Sequence, residues 1–250
     1  MGVQVRWFAG FEGPGGAEGW SRLLSLRDAR VVARSRTSLT EAGILDLPSG
    51  PVEVFRKTYS YPGFGAKARG LFRTTFGTPG RAAKEATALI RLHALGLAPV
   101  PVALAERRVL GLLDEAVLAV RAVPGGRDLE AADPAPGLAA AAGRAAGRMH
   151  AAGLGHLDLA PRNLVAVPRP GGGWEVFKVD SGSLAEVRRG GAEQARDLAE
   201  LLAGLEERWR DGDLADLCRA YAAEAGAIPA GLETALPNAR ASLARRAPRG

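Results

Sequence analysis

The chain of 250 residues has one cysteine, Cys218, and three histidines, His93, His150 and His156. A single thiol rules out an internal disulfide framework and a cysteine-rich zinc site. The few histidines argue against a histidine-based metal centre, and Cys218 reads as a residue on the buried face of a helix. No apolar run reaches the ~20 residues that a membrane-spanning helix needs. The runs are cut by charge, as at Asp114-Glu115. The N-terminus lacks a basic-then-apolar secretory pattern, and its glycines between Gly13 and Gly19 would break one. The expectation is a cytoplasmic protein.

What is present fits a folded chain: 47% hydrophobic and 24% charged residues, with 33 Gly and 16 Pro marking many turns. The length suffices for one large domain or two lobes. A formal net charge of +6 favours anionic partners, whether nucleotide, nucleic acid or a phosphorylated membrane surface, without choosing among them. The basic residues are scattered and no recognition motif accompanies them, so no nucleic-acid partner is expected.

In chain order, residues 1–25 carry Trp7, Phe8 and Trp20 among glycines and give only a short helix at 21–26. Weak alternation from Ala29 to Ala42 reads as a strand entering a polar turn at Ser35-Arg36-Thr37-Ser38. Val52 to Tyr59 is a firmer strand, β-branched and aromatic, bounded by Pro51 and Pro62-Gly63. Phe55, Lys57 and Tyr59 share one face of it. A basic, aromatic connection follows with Lys67, Arg69, Phe72, Arg73 and Phe76, a solvated loop or a patch for an anionic acceptor or lipid headgroup.

Thr78-Pro79 reads as a helix cap with proline at the first helical position. In the helix beyond it Ala82, Glu85, Leu89 and Leu92 recur at i, i+3, i+7 and i+10. Glu85 then either sits solvated at the rim or faces inward and needs a cationic partner, for which Lys57 is the candidate. Two strands follow near 102–106 and 116–123. The break at Val123-Pro124-Gly125-Gly126 divides the chain into 1–123 and 124–250.

A helix rich in alanine and glycine, from about Pro136 to Ala152, implies close helix packing. Strands at 164–167 and 174–179 flank a turn, and helices follow at 193–209 and 213–225. The arginine-rich tail, with Arg240, Arg245, Arg246 and Arg249, reads as frayed.

The chemistry concentrates between His150 and Asp180. Asp158 is followed five residues later by Asn163, and Asp180 closes the next hairpin. Two carboxylates and an amide at strand ends can hold a divalent ion and orient a hydroxyl, which many chemistries use.

The stretch from Met149 to Asn163 fits H-x-x-G-x-x-H-x-D-L-x-x-x-N and resembles the catalytic loop of the protein-kinase-like fold. Lys57 on a strand, Glu85 in the next helix, Asp158, Asn163 and Asp180-Ser181-Gly182 stand in the order that fold requires. Within it, the chain resembles bacterial lipopolysaccharide kinases, which phosphorylate heptose or Kdo sugars of the inner core. The resemblance runs from about Arg34 to Leu205 and includes Phe55-Arg56-Lys57-Thr58-Tyr59, 81–92 and Arg196-Asp197-Leu198.

It implies an α+β, bilobal fold, with a small β-rich N-terminal lobe holding one key helix and a short, mostly helical C-terminal lobe. It also implies ATP and Mg²⁺ as cofactors. Lys57, held by Glu85, would grip the phosphates, and Asp158 would orient the attacking hydroxyl. Asn163 and Asp180 would hold the metal, and backbone near Val123 would meet adenine. His156 would brace the loop, with His150 a packing residue.

Departures sharpen the reading. No G-x-G-x-x-G precedes Lys57, so 34–40 must cover the phosphates with backbone N–H groups and the Ser35, Thr37 and Ser38 hydroxyls. Leu157 replaces the arginine of regulated protein kinases, Ser181 replaces phenylalanine, and no A-P-E follows Asp180. These favour a constitutive kinase for a glycan or other small acceptor over a regulated protein kinase; a peripheral contact with an anionic membrane surface stays open. Alternatives are a kinase for an aminoglycoside-like molecule or a protein, and a catalytically dead nucleotide-binding protein.

Overall fold

The computed structural model describes residues 2–61, 79–156, 158–180, 182 and 184–246. The basic 67–73 connection, the Thr78 cap, Leu157, Ser181 and Arg249 lie outside the described residues. The chain divides into two compact units: Met1–Ile90 with Pro99–Ala122, and Arg91–Ala98 with Val123–Gly250.

The first unit is built on a six-stranded antiparallel sheet. Its strands are β1 (Gly2–Trp7), β2 (Arg27–Arg34), β3 (Ser38–Leu47), β4 (Gly50–Ser60), β5 (Pro101–Val109) and β6 (Leu112–Arg121). They run in the order β1-β5-β6-β4-β3-β2. Helix α1 (Gly16–Leu24) buries Trp20 and Leu23 with Leu45, Val54, Val102 and Val117 of the sheet. Residues 2–24 are thus part of this core, which goes beyond the short helix expected from this glycine-rich stretch. The helix begins at Gly16, earlier than the 21–26 expected. It is tied down by Arg56, a buried guanidinium that donates to Leu23 O at 2.9 Å and to the Glu41 carboxylate.

Helix α2 (Arg81–Ala94) starts two residues after Pro79, so that proline precedes the helix and does not occupy its first position. The periodicity of its inner face holds: Ala82, Glu85, Leu89 and Leu92 are all buried.

The second unit carries the helices α3 (Leu138–Ala151), α4 (Ala192–Leu205), α5 (Asp211–Ala225) and α6 (Leu232–Arg246). Short sheets complete it. β7 (Arg127–Asp128), β9 (Leu164–Pro168) and β10 (Trp174–Lys178) form one, and β8 (Leu154–Gly155) with β11 (Ala185–Glu186) the other. The tail reads as frayed in sequence, yet it forms α6. This helix packs on α4, and Arg240 donates to both oxygens of Glu206 at 2.6 and 2.7 Å.

Helices α3 and α5 approach so closely that a Cβ on Gly143 would sit 2.1 Å from the Leu217 carbonyl oxygen. One on Gly147 would sit 2.7 Å from that of Tyr221. Main chain cannot yield as a flexible side chain can. Gly143→Ala should therefore lower unfolding free energy by roughly 1–3 kcal/mol. The urea midpoint would report this at unchanged m-value, and an unaltered midpoint would refute the close crossing.

Candidate active site

In the first unit the strand alternation places Lys57 and Tyr59 on the face that meets α2. Lys57 Nζ lies 3.3 and 3.2 Å from the two Glu85 oxygens, and the Tyr59 hydroxyl donates to the same carboxylate. Glu85 is 3% exposed, so its charge is held by these two partners rather than by bulk water. The Lys57 ammonium and the Arg81 guanidinium both lie over the Tyr59 ring, at 5.4 and 5.2 Å from its centroid. The sequence offered Lys57 as the partner of Glu85. Tyr59, visible there as a neighbour on the same strand face, is a further one.

The β2–β3 turn satisfies itself internally. The Ser35 hydroxyl accepts from the Thr37 and Ser38 N–H groups at 3.3 and 3.1 Å and pairs with the Ser38 hydroxyl at 2.8 Å. Arg81 Nη1 reaches Thr37 Oγ1 at 3.4 Å, joining the start of α2 to this turn. Val123 O accepts from Gly126 N at 3.1 Å, which closes the turn at the composition break.

In the second unit, the loop between β8 and a single 3-10 turn (Pro161–Asn163) carries the chemistry. Asp158 is half-exposed, and Arg162 four residues on donates to its Oδ1 at 2.9 Å. The i, i+4 spacing of this pair was visible in the sequence, but only the 3-10 turn brings the guanidinium back. Asn163 is buried; its Nδ2 donates to Asp158 O at 3.1 Å. That bond fixes the amide plane, so Oδ1 remains as the acceptor. Asp180 follows β10 and is exposed.

Oxygen donors from an amide and a carboxylate suit a hard cation such as Mg²⁺, which takes one or two protein ligands and completes its shell with phosphate and water. Among the described residues no group of three or more His, Cys, Asp or Glu side chains is suited to a metal ion.

Behind the loop lies a buried polar network that spacing alone did not reveal. Asp197 of α4 accepts from the His156 N–H at 2.6 Å, and its Oδ2 is 3.4 Å from His150 Nε2. His150 is hydrogen-bonded through Nδ1 to the Tyr221 hydroxyl at 2.6 Å, a tie beyond the packing role read from sequence. Gln194 Nε2 donates to His150 O at 2.8 Å. His156 Nδ1 bonds Asp158 O at 2.8 Å, which braces the loop from within.

Burial, with the Lys178 ammonium nearby, lowers the His156 pKa from 6.5 to about 4; the Asp158 carbonyl, Asp197 and Asp180 oppose this more weakly. Between those values the unfolded chain binds the proton and the folded one does not. The contribution is therefore intact above pH 6.5, is lost as pH falls toward 4, and is constant below. His156→Gln, neutral throughout, should lose less stability than wild type between pH 7 and 4, by on the order of 3 kcal/mol. Denaturant titrations at both pH values would check this, and equal losses would contradict it.

The fold is kinase-like. A solved structure described as "WaaP in complex with acyl carrier protein" is similar over 97% of this chain and 97% of its own, with TM-score 0.61 and 16% identity. No curated protein sequence matches the chain significantly. Residues 50–221 match the model of the lipopolysaccharide kinase (Kdo/WaaP) family. The chain belongs to that family. It is accordingly a kinase, an ATP-using phosphotransferase for a sugar of a lipopolysaccharide-type core.

Proposed function

We propose that the chain transfers the γ-phosphate of Mg²⁺-ATP to a heptose or Kdo hydroxyl of an inner-core glycan. In this reading Lys57, fixed by Glu85, takes the nucleotide phosphates. Asp158 accepts and orients the hydroxyl proton, with Arg162 setting the carboxylate's rotamer. Asn163 and Asp180 hold Mg²⁺, which when bound offsets the charge that develops on the phosphoryl oxygens. The Ser35, Thr37 and Ser38 hydroxyls contribute to the phosphates after releasing the Ser35–Ser38 bond and the Arg81 bond to Thr37. Backbone near Val123 serves adenine.

The observation that carries the reading is the buried Lys57–Glu85 ion pair. The pair fixes the ammonium at one position beside the sheet, as a lysine that orients nucleotide phosphates requires. The net charge of +6 supports a glycan acceptor bearing phosphate or carboxylate, and a peripheral contact with an anionic bilayer to which Lys67, Arg69 and Arg73 add charge.

The test is an acceptor panel with γ-labelled ATP, using core oligosaccharide, an aminoglycoside and a generic protein. Label should move to the oligosaccharide. Transfer to the aminoglycoside or protein in preference would overturn the acceptor assignment.

A further inference from the structure

Strand β10 exposes a contradiction in its own pattern. Alternation puts Trp174, Val176 and Lys178 on one face, and that face is the inner one: Val176 is 2% and Lys178 3% exposed. A lysine is rarely left there without a reason, because an ammonium in an apolar setting must find acceptors. Its stem lies among Leu97, Met149, Leu159, Leu164 and Val176, beside a void of about 10 Å³. Such a void is at the limit for a single water, so the stem is enclosed mainly by apolar side chains.

The head of this side chain reaches two main-chain carbonyls. Lys178 Nζ donates to Asn163 O at 3.4 Å and to Asp180 O. These are the carbonyls of the two residues assigned to the metal. Asn163 O also accepts from Val179 N at 3.0 Å, so the end of β10 and the 3-10 turn are stapled at one point. With its carbonyl held inward, each residue has its peptide plane set, and with that the direction in which its side chain leaves. No other described side chain donates to both carbonyls.

We propose that Lys178 is a positioning residue for the metal ligands. By holding Asn163 O and Asp180 O it keeps their side-chain oxygens pre-set for a divalent cation. The role concerns the metal and not the nucleotide itself, and it rests on the assignment of Asn163 and Asp180 made above. It is an outer-shell role of the kind whose loss costs metal affinity rather than fold.

Lys178→Met keeps the apolar stem and removes the donors. The full-length variant is titrated with a non-hydrolysable ATP analogue, with and without Mg²⁺, after circular dichroism has confirmed its fold. The half-saturating Mg²⁺ concentration should rise roughly 10–100-fold. Affinity for the metal-free analogue should stay at the wild-type value, and excess Mg²⁺ should restore turnover. A general loosening of the fold would not produce that split. Lys178→Gln, which retains a donor, should shift the Mg²⁺ requirement less, and it decides the matter if the methionine variant does not fold.

An unchanged Mg²⁺ requirement in a folded variant would overturn the proposal. So would a lowered one, which would show the ammonium acting only by repelling the cation. If the wild-type protein itself binds the analogue without any Mg²⁺ dependence, the assignment of Asn163 and Asp180 fails, and the proposal fails with it.

Discussion

Asp158→Asn is expected to lower phosphate transfer by roughly 10²–10⁴-fold, the usual range for removing a positioned proton acceptor. Nucleotide affinity should change by no more than about twofold, as for a group that acts on the acceptor in the transition state. The geometry separates these effects. Arg162 holds Oδ1 of Asp158 at 2.9 Å, and the main-chain carbonyl of Asp158 is held by His156 and Asn163. An asparagine can sit in the same frame, so the loop keeps its shape and the assigned metal ligands stay in place. What is lost is a carboxylate oxygen able to accept the hydroxyl proton. Kinetics with saturating and limiting ATP would separate the two readouts. A variant transferring phosphate at the wild-type rate would remove Asp158 from the reaction.

The second large effect concerns Lys57→Met. Loss of a cation that meets developing phosphoryl charge should reduce kcat/KM for ATP by about 10²–10³-fold. The same change leaves Glu85, 3% exposed, without the ammonium beside it. Breaking a buried pair from one side typically costs about 3–5 kcal/mol. The cost here should fall toward the lower end, because the Lys57 side chain is 20% exposed and the Tyr59 hydroxyl still donates to Glu85. The double variant Lys57→Met with Glu85→Gln removes the uncompensated charge. It should recover much of the stability and none of the activity, and a double-mutant cycle measures the coupling. Recovery of activity together with stability would mean that Lys57 is structural.

The Lys57–Glu85 pair of the candidate site was legible because each partner is placed by a local period. Strand alternation over 52–59 put Lys57 on a definite face, and the helical period put Glu85 on the inner face of α2. Each alone was weak; in order, they defined a kinase-like arrangement. What escaped was set by tertiary context. β1 sits ahead of a glycine-rich segment that conceals the helix anchoring it. α6 does carry an apolar period at Leu232, Ala235, Leu236, Ala239 and Leu243, all half-buried, but Pro237 inside it and the arginines at its end hid that period among turn and tail signals. Asp197 was seen as part of a motif, yet its bond to the His156 N–H spans 41 residues and could not be inferred from spacing. Lys178 obeys the strand alternation and breaks the expectation that an inward position is apolar. Such a conflict between local pattern and residue type tends to mark a functional position.

The central claim is that this chain phosphorylates a sugar hydroxyl of an inner-core glycan. The most direct measurement is phosphorus NMR of a heptose- and Kdo-containing oligosaccharide incubated with the wild-type protein, ATP and Mg²⁺. A new phosphomonoester resonance on the glycan is predicted, dependent on both ATP and the metal and absent with Asp158→Asn. ATP consumed at the same rate with and without the glycan, with no phosphomonoester on it, would contradict the account.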